Sequence, residues 1–207
     1  HTIIRMLQQG FHNVHGVDLS SDMISRARER LKEAGFEPAS ASNVHLSTSP
    51  LDLPERLIDG GKFDAVFVNW TLQFVVDETE RKVFLRNIGK RMASGALLVL
   101  TEKTVQNKET KDAYYAFKRR MGVSEREIVH KEERLKGVLE PLSTQWYLDA
   151  LGDCGFTRVS VFRAKYGFVT FVARRGGAHI ENDSMAQPPL PPGDFQTWNL
   201  SASADNI

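Results

Sequence analysis

Asp18 closes the short apolar run HGVDL, and the residues after it, SSDMISRARERL, change at once to the period of an amphipathic helix. A carboxylate at that junction suits two tasks. Its two oxygens can take charge-assisted hydrogen bonds from neighbouring ribose hydroxyls, as an acid does at the end of a strand in nucleotide-binding α/β units, or it can help to cap the helix. Asn69 stands in the same way at the end of FDAVFVN, where its amide can face a ligand or form a turn. A third group lies in YYAFKRRMGVSEREIVHKEERLK. There Tyr114, Lys118, Arg119 and Arg134 offer a phenol and cations to an anionic substrate, although mixed-sign runs of this kind are usually solvated helix faces. Trp70 and Phe74 read as core or pocket wall, and Gln73 as a cofactor contact or a surface residue. His12, His15 and His45 show no metal-ligand spacing with one another or with Cys154, so no metal site is expected.

These residues need elements to hold them. The pattern predicts strands at 13–19, 43–48 and 63–69, with a fourth in ASGALLVLTEK, separated by helices. The first helix after Asp18 starts at a Ser20 or Ser21 cap, carries Met23, Ile24, Ala27 and Leu31 on its core face and ends at Gly35. The helix from Glu78 to Met92 puts Val83, Phe84 and Ile88 at core spacing. FDAVFVN is apolar on both faces, as a strand covered by helices on each side must be. Helical stretches follow near 108–121, 124–137 and 144–153. TRVSVFRA and GFVTFVARR, joined only around Lys165 to Gly167, must then form an antiparallel hairpin. The expected fold is therefore α/β, a Rossmann-like doubly wound, mostly parallel sheet with a carboxyl-terminal antiparallel hairpin. Residues 176–207, rich in Pro, Gly, Ser and Asn and without a period, read as a disordered tail, and PPLPP within them as a solvated stretch or a polyproline ligand.

The totals narrow the class. A chain of 207 residues with 41% hydrophobic and 26% charged residues has globular composition. It contains no run of about 18 apolar residues, so no bilayer-spanning helix is expected. A formal charge of +1 gives no electrostatic case for direct nucleic-acid binding. One cysteine and no recognisable secretion leader point to a cytoplasmic protein.

GVDLSSDMISRARERL resembles the acidic motif of class I S-adenosylmethionine-dependent methyltransferases, FDAVFVNWTLQFV their fourth-strand motif, and LRNIGKRMASGALLVLTEK the helix, glycine turn and fifth strand that follow. Within that superfamily NWTLQFV, GALLVLTEK and FKRRMGVSEREIVHKEERLKGVLEPLS resemble the carboxy-S-adenosyl-L-methionine synthases. The likeness runs over about residues 1 to 174. It implies S-adenosyl-L-methionine as cofactor, with Asp18 on the ribose, Leu19 and Ser20 along the adenine with Met23 beside them, and Asn69 near the amino-acid end. After the third strand the family places an acid and an apolar residue against the adenine. Here STSPLDL offers either Pro50, which lacks an acceptor, or Asp52 with Leu51 or Leu53, the preferred reading.

The resemblance further implies a small-molecule substrate, prephenate, bound near Tyr114, Lys118, Arg119 and Arg134, a product used in wobble-uridine modification of transfer RNA, and a homodimer using 108–137. It also implies an arginine that grips the new carboxylate, yet WYLDALGDCGF, where one would look, has none. The family's glycine-rich first motif does not precede His1. Residues 1–175 are therefore expected to be an amino-terminally truncated domain lacking its first strand, with a degenerate relative as the alternative. Competing readings are a methyltransferase with another acceptor, a non-catalytic subunit of the same fold, and a Rossmann dehydrogenase, against which the final hairpin counts.

Overall fold

The computed structural model describes residues 2–36, 44–48 and 61–177. In chain order these form α1 (Thr2–Gln8), β1 (Val14–Asp18), α2 (Ser21–Glu33), β2 (Val44–Thr48), β3 (Phe63–Asn69), a 3-10 turn at Leu72–Phe74, α3 (Glu78–Arg91) and β4 (Met92–Lys103). Then come α4 (Lys108–Arg120), α5 (Glu125–Leu135), α6 (Thr144–Asp153), β5 (Phe156–Lys165) and β6 (Phe168–Arg175). The expected mixed α/β architecture is what the chain adopts. Leu51, Asp52 and the tail from 178 onward lie outside the described residues.

The start of each longer helix is fixed by a short polar side chain. Ser20, Asp77, Asn107 and Ser143 each accept the backbone N–H three residues on, satisfying a donor that has no partner within its helix. Ser124 and Glu127 do so reciprocally at α5, in a capping box.

Among the described residues the strands form two groups. β1 and β2 pair in parallel, from Val14 opposite Val44 to Asp18 opposite Thr48. The other group has the order β3-β4-β6-β5, with β3 parallel to β4 and β6 antiparallel to both neighbours. β6 is thus the inserted antiparallel strand that so short a connection demands. Tyr166 (φ 53°) and Gly167 (φ 78°) make that connection, two left-handed residues whose twist matches the flanking strands.

β1 and β3 do not pair with each other. A cavity of about 550 Å³ lies between them, lined by Ile3 and Met6 of α1, Val14 of β1 and Phe63, Ala65 and Phe67 of β3. Phe67 is therefore 41% exposed, and β3 is shielded on one face rather than on both as the sequence suggested.

The core sits where β3, β4 and β6 meet α3 and α6. Leu72, Leu85, Leu98, Leu100, Tyr147 and Phe171 are all fully buried, and each large apolar side chain removed from water contributes about 1.5–3 kcal/mol. Two helix faces differ from expectation. On α3 the inward stripe is Arg81, Leu85 and Ile88, while Val83 is 46% exposed. Of the expected residues Ile88 is buried and Phe84 packs against the core, whereas Val83 turns outward because Arg81, a residue type rarely found fully buried, takes part of the inward stripe. On α2 the inward residues are Ile24 and Leu31, and Met23 is 49% exposed.

Candidate functional site

A cleft of about 370 Å³ opens at the carboxyl ends of β1, β3 and β4 and is covered by α4 and α5. Ligands of open α/β sheets settle at this rim. Asp18, the last residue of β1, is half-buried on its wall. Its Oδ1 accepts the Ser20 N–H at 2.8 Å, which fixes the carboxylate, while Oδ2 has no partner among the described residues. Asp18 thereby steadies the start of α2, and its second oxygen faces the cleft side of the strand end without a partner among the described residues. Asn69 closes β3 on the same cleft and is exposed.

Immediately after Asn69 the backbone turns sharply. Trp70 takes a left-handed conformation (φ 54°) and donates its N–H to the Thr101 carbonyl at 2.7 Å. The next three N–H groups, of Thr71, Leu72 and Gln73, all donate to the carboxylate of Glu102 at 2.9–3.0 Å. Glu102 is fully buried on β4. Burial pushes it up to about 7, against the pull of those three N–H groups and of Arg81.

The far end of the loop is tied by Arg81. Its guanidinium donates to the carbonyls of Val75 and Glu140 and to the Tyr147 hydroxyl. The loop that brings Trp70, Gln73 and Phe74 to the cleft is thereby clamped at both ends. Gln73 is 5% exposed and its Oε1 accepts the Lys103 N–H at 3.0 Å, so it also holds the wall together.

The opposite side comes from β4, α4, α5 and β6. Tyr114 is 5% exposed, meets Phe168 edge-on at 5.6 Å, and burial raises its phenol above the ordinary value. The Lys118 ammonium lies 4.6 Å from the Tyr114 ring centre and 5.4 Å from that of Tyr115. Burial lowers Lys118, and Lys131 and Lys103 lower it further by repulsion. Lys103 is lowered mainly by burial; Glu132 opposes this, and Lys111 and Lys131 add to it. Glu132 also lines the cleft, but its carboxylate pairs with Lys111 at 2.9 Å and accepts the Tyr115 hydroxyl.

Of the sequence candidates, Asp18, Asn69, Tyr114 and Lys118 are brought to one cleft. Leu19 is 59% exposed beside it, and Ser20 is occupied as the cap of α2. Met23 lies away from the cleft, among Ile3, Ile4 and Ala27 where α1 meets α2. Arg119 is exposed and paired with Glu125 at 2.7 Å, and Arg134 is exposed on α5; neither lines the cleft. Leu51 and Asp52 lie outside the described residues. Sequence reasoning missed Lys103 as a cleft residue, although its place at the carboxyl end of a strand was a usable signal. It also left Lys131 among the solvated charges, because α5 alone does not reveal which of its faces meets the sheet rim. Among the described residues no group of three or more His, Cys, Asp or Glu is placed to hold a metal ion, and no helix is long and apolar enough to cross a membrane.

This rim geometry is that of a methyltransferase fold. A family model described as a methyltransferase domain matches residues 1–98. An S-adenosylmethionine-dependent methyltransferase structure from Methanosarcina mazei superposes with a TM-score of 0.54 at 16% identity, covering 83% of this chain and 86% of that one. More specific are two sequence relatives, both named carboxy-S-adenosyl-L-methionine synthase. The one from Helicobacter pylori is 31% identical over 176 residues, 83% of this chain and 68% of its own length. The one from Chromohalobacter salexigens is 33% identical over 166 residues, 76% of this chain and 57% of its own length. The chain belongs to the carboxy-S-adenosyl-L-methionine synthase family. It spans about three fifths of the length of several of those relatives.

Proposed function

We propose that the chain carries most of the active site of an S-adenosyl-L-methionine-dependent transferase that makes carboxy-S-adenosyl-L-methionine, with prephenate as the source of the carboxyl group. The observation that carries this reading is the placement of Asp18 and Asn69, from two separate strands, on one rim cleft with Tyr114 and Lys118. The residues present fit the nucleoside part of the cofactor: a carboxylate oxygen without a partner among the described residues stands at the end of β1, beside exposed Leu19. When bound, the cofactor supplies a carbon activated by a positively charged sulfur.

The protein's own tasks are positional. Asp18 accepts the ribose hydroxyls, Asn69 orients the amino-acid end, and the clamped Trp70–Phe74 loop with α4 and α5 excludes water from the donor. The resemblance assigns the remaining part of the cradle to a glycine-rich turn. Cytoplasmic location, a homodimer formed through α4 and α5, and supply of the product to transfer-RNA modification complete the reading.

The test is direct. The chain and its Asp18→Asn variant are titrated with S-adenosylhomocysteine, and the chain is then incubated with S-adenosylmethionine and prephenate and its ligand read by mass spectrometry. Binding weakened at least about tenfold by the variant, the loss of one charge-assisted contact, together with a product heavier by one carboxyl group, is the expected result. Equal affinity of the two proteins overturns the nucleoside assignment.

One observation favours a second reading, a methyltransferase acting on another anionic acceptor: among the described residues no arginine lines the cleft, and its cations are lysines. Methylation of an added acceptor with no carboxylated product would select it.

A further inference from the structure

Gln73 is held by three hydrogen bonds at a place where almost none of it meets water. Its backbone N–H donates to Glu102 at 3.0 Å, its carbonyl accepts the Glu140 N–H at 2.8 Å, and its side-chain Oε1 accepts the Lys103 N–H at 3.0 Å. The residue is 5% exposed and lines the cleft. Because a backbone N–H can only donate, the amide oxygen must face Lys103, which turns the NH2 group the other way. That NH2 group has no partner among the described residues, and its nitrogen is not sealed inside the protein. The charged side chains that β4, α4 and α5 bring to the cleft offer it no acceptor. Lys103, Lys118 and Lys131 only donate, and the Glu132 carboxylate is taken by Lys111 and the Tyr115 hydroxyl. Tying the loop to β4 requires only the oxygen, and a glutamate would hold Lys103 in the same way. The buried, unspent donor therefore has no structural use, and leaving it unmet is costly.

We infer that Gln73 is a specificity-determining residue of the transferase, its side-chain NH2 donating a hydrogen bond to a carbonyl or carboxylate oxygen of the second substrate. The sheet order decides which ligand it meets. β3 has β4 on one side and the gap toward β1 on the other, so Asn69 lies between Asp18 and the end of β4. A nucleoside on Asp18 with its amino-acid end at Asn69 occupies the rim as far as β3. Gln73, fastened to Lys103 of β4, stands about one strand spacing, roughly 4.8 Å, farther on. That is the second substrate's side, beneath Tyr114 and Phe168. The amide is oriented before any ligand arrives, so little ordering is left to pay for on binding. A fixed donor selects an oxygen there and rejects an ammonium or amide nitrogen, since two donors set face to face leave both unpaired. The assignment rests on the proposed function for the place of the cofactor, and adds to it the residue that chooses the partner atom of the other substrate.

The experiment follows the Gln73 side-chain amide of the chain by heteronuclear NMR, its resonances assigned by their absence from Gln73→Glu and Gln73→Leu. Prephenate and S-adenosylhomocysteine are titrated separately. Prephenate is expected to move one of the two amide protons downfield, as a new hydrogen bond does, and S-adenosylhomocysteine is not. In calorimetry Gln73→Glu, which keeps the oxygen for Lys103 and sets an acceptor where the donor stood, should weaken prephenate at least about tenfold and leave S-adenosylhomocysteine unchanged. Gln73→Leu should weaken prephenate as well, but it should also lower the thermal midpoint, because the Lys103 N–H then loses its partner. The two variants thus separate contact with the substrate from upkeep of the wall. Prephenate bound equally by the unaltered chain and Gln73→Glu, an amide unmoved by prephenate, or one moved by S-adenosylhomocysteine alone overturns the inference. A silent Gln73 amide, with S-adenosylhomocysteine still weakened by Asp18→Asn, sinks the role of Gln73 alone. An amide that answers to prephenate, while Asp18→Asn binds S-adenosylhomocysteine as the unaltered chain does, sinks the nucleoside site alone.

Discussion

At the scale of single residues, one carboxylate holds the loop that shapes the cleft. Glu102 is buried and nevertheless collects three consecutive backbone N–H groups. Its folded value near 7, above the ordinary 4.5, means that the folded protein holds this proton more tightly than the unfolded chain does. The stabilisation from that proton is complete below about pH 4.5 and is lost as pH rises through about 7, on the order of 3 kcal/mol in all. Urea midpoints measured from pH 5 to 8 should therefore fall with rising pH, and Glu102→Gln should remove that slope. The same variant turns an NH2 group toward an N–H donor of the loop and should cost about 1–3 kcal/mol at pH 5.5. A slope that survives the substitution would assign the titration elsewhere. Arg81 is the counterpart. Arg81→Met leaves the carbonyls of Val75 and Glu140 without their donor, and a loss of at least about 3 kcal/mol in denaturant unfolding is expected.

At the scale of elements, the hairpin of β5 and β6 shows how a turn fixes the rim. Gly167 sits at φ 78°, its carbonyl accepts both the N–H and the hydroxyl of Thr104, and a Cβ there would collide with the side chain of Gln106. Gly167→Ala should destabilise by about 1–3 kcal/mol, seen as a lower thermal midpoint, whereas alanine at Gly152, whose Cβ would meet nothing within 4 Å, should change it little. Such elements were largely legible in advance. The short link 165–167 forced an antiparallel pair, the period of FDAVFVN gave a strand with the bounds observed, and the three helices between 108 and 153 fell within a few residues of their places. What could not be read was which face each helix turns inward. The buried stripe of α3 runs through an arginine, and Lys131 on α5 looks solvated until β4 and α4 are set beside it. Those are facts of tertiary packing, and no period in one segment records them.

At the scale of the whole molecule, the cleft assembles residues separated by more than a hundred positions. Asp18 and Asn69 could be proposed because each ends an apolar run, a rule of position along the chain. Lys103 and Lys131 come to the same cleft as Asp18 only in space, which is why two of its three lysines escaped notice. The gap between β1 and β3 has a further outcome. Among the described residues neither strand has a neighbouring strand on that side, and apolar Val14, Ala65 and Phe67 line the intervening space. Two such borders are templates on which foreign extended peptide can add. In concentrated solution the 207-residue chain should clump through them, with light scattering that grows with concentration and subsides when a short, strand-forming peptide is supplied to occupy the slot.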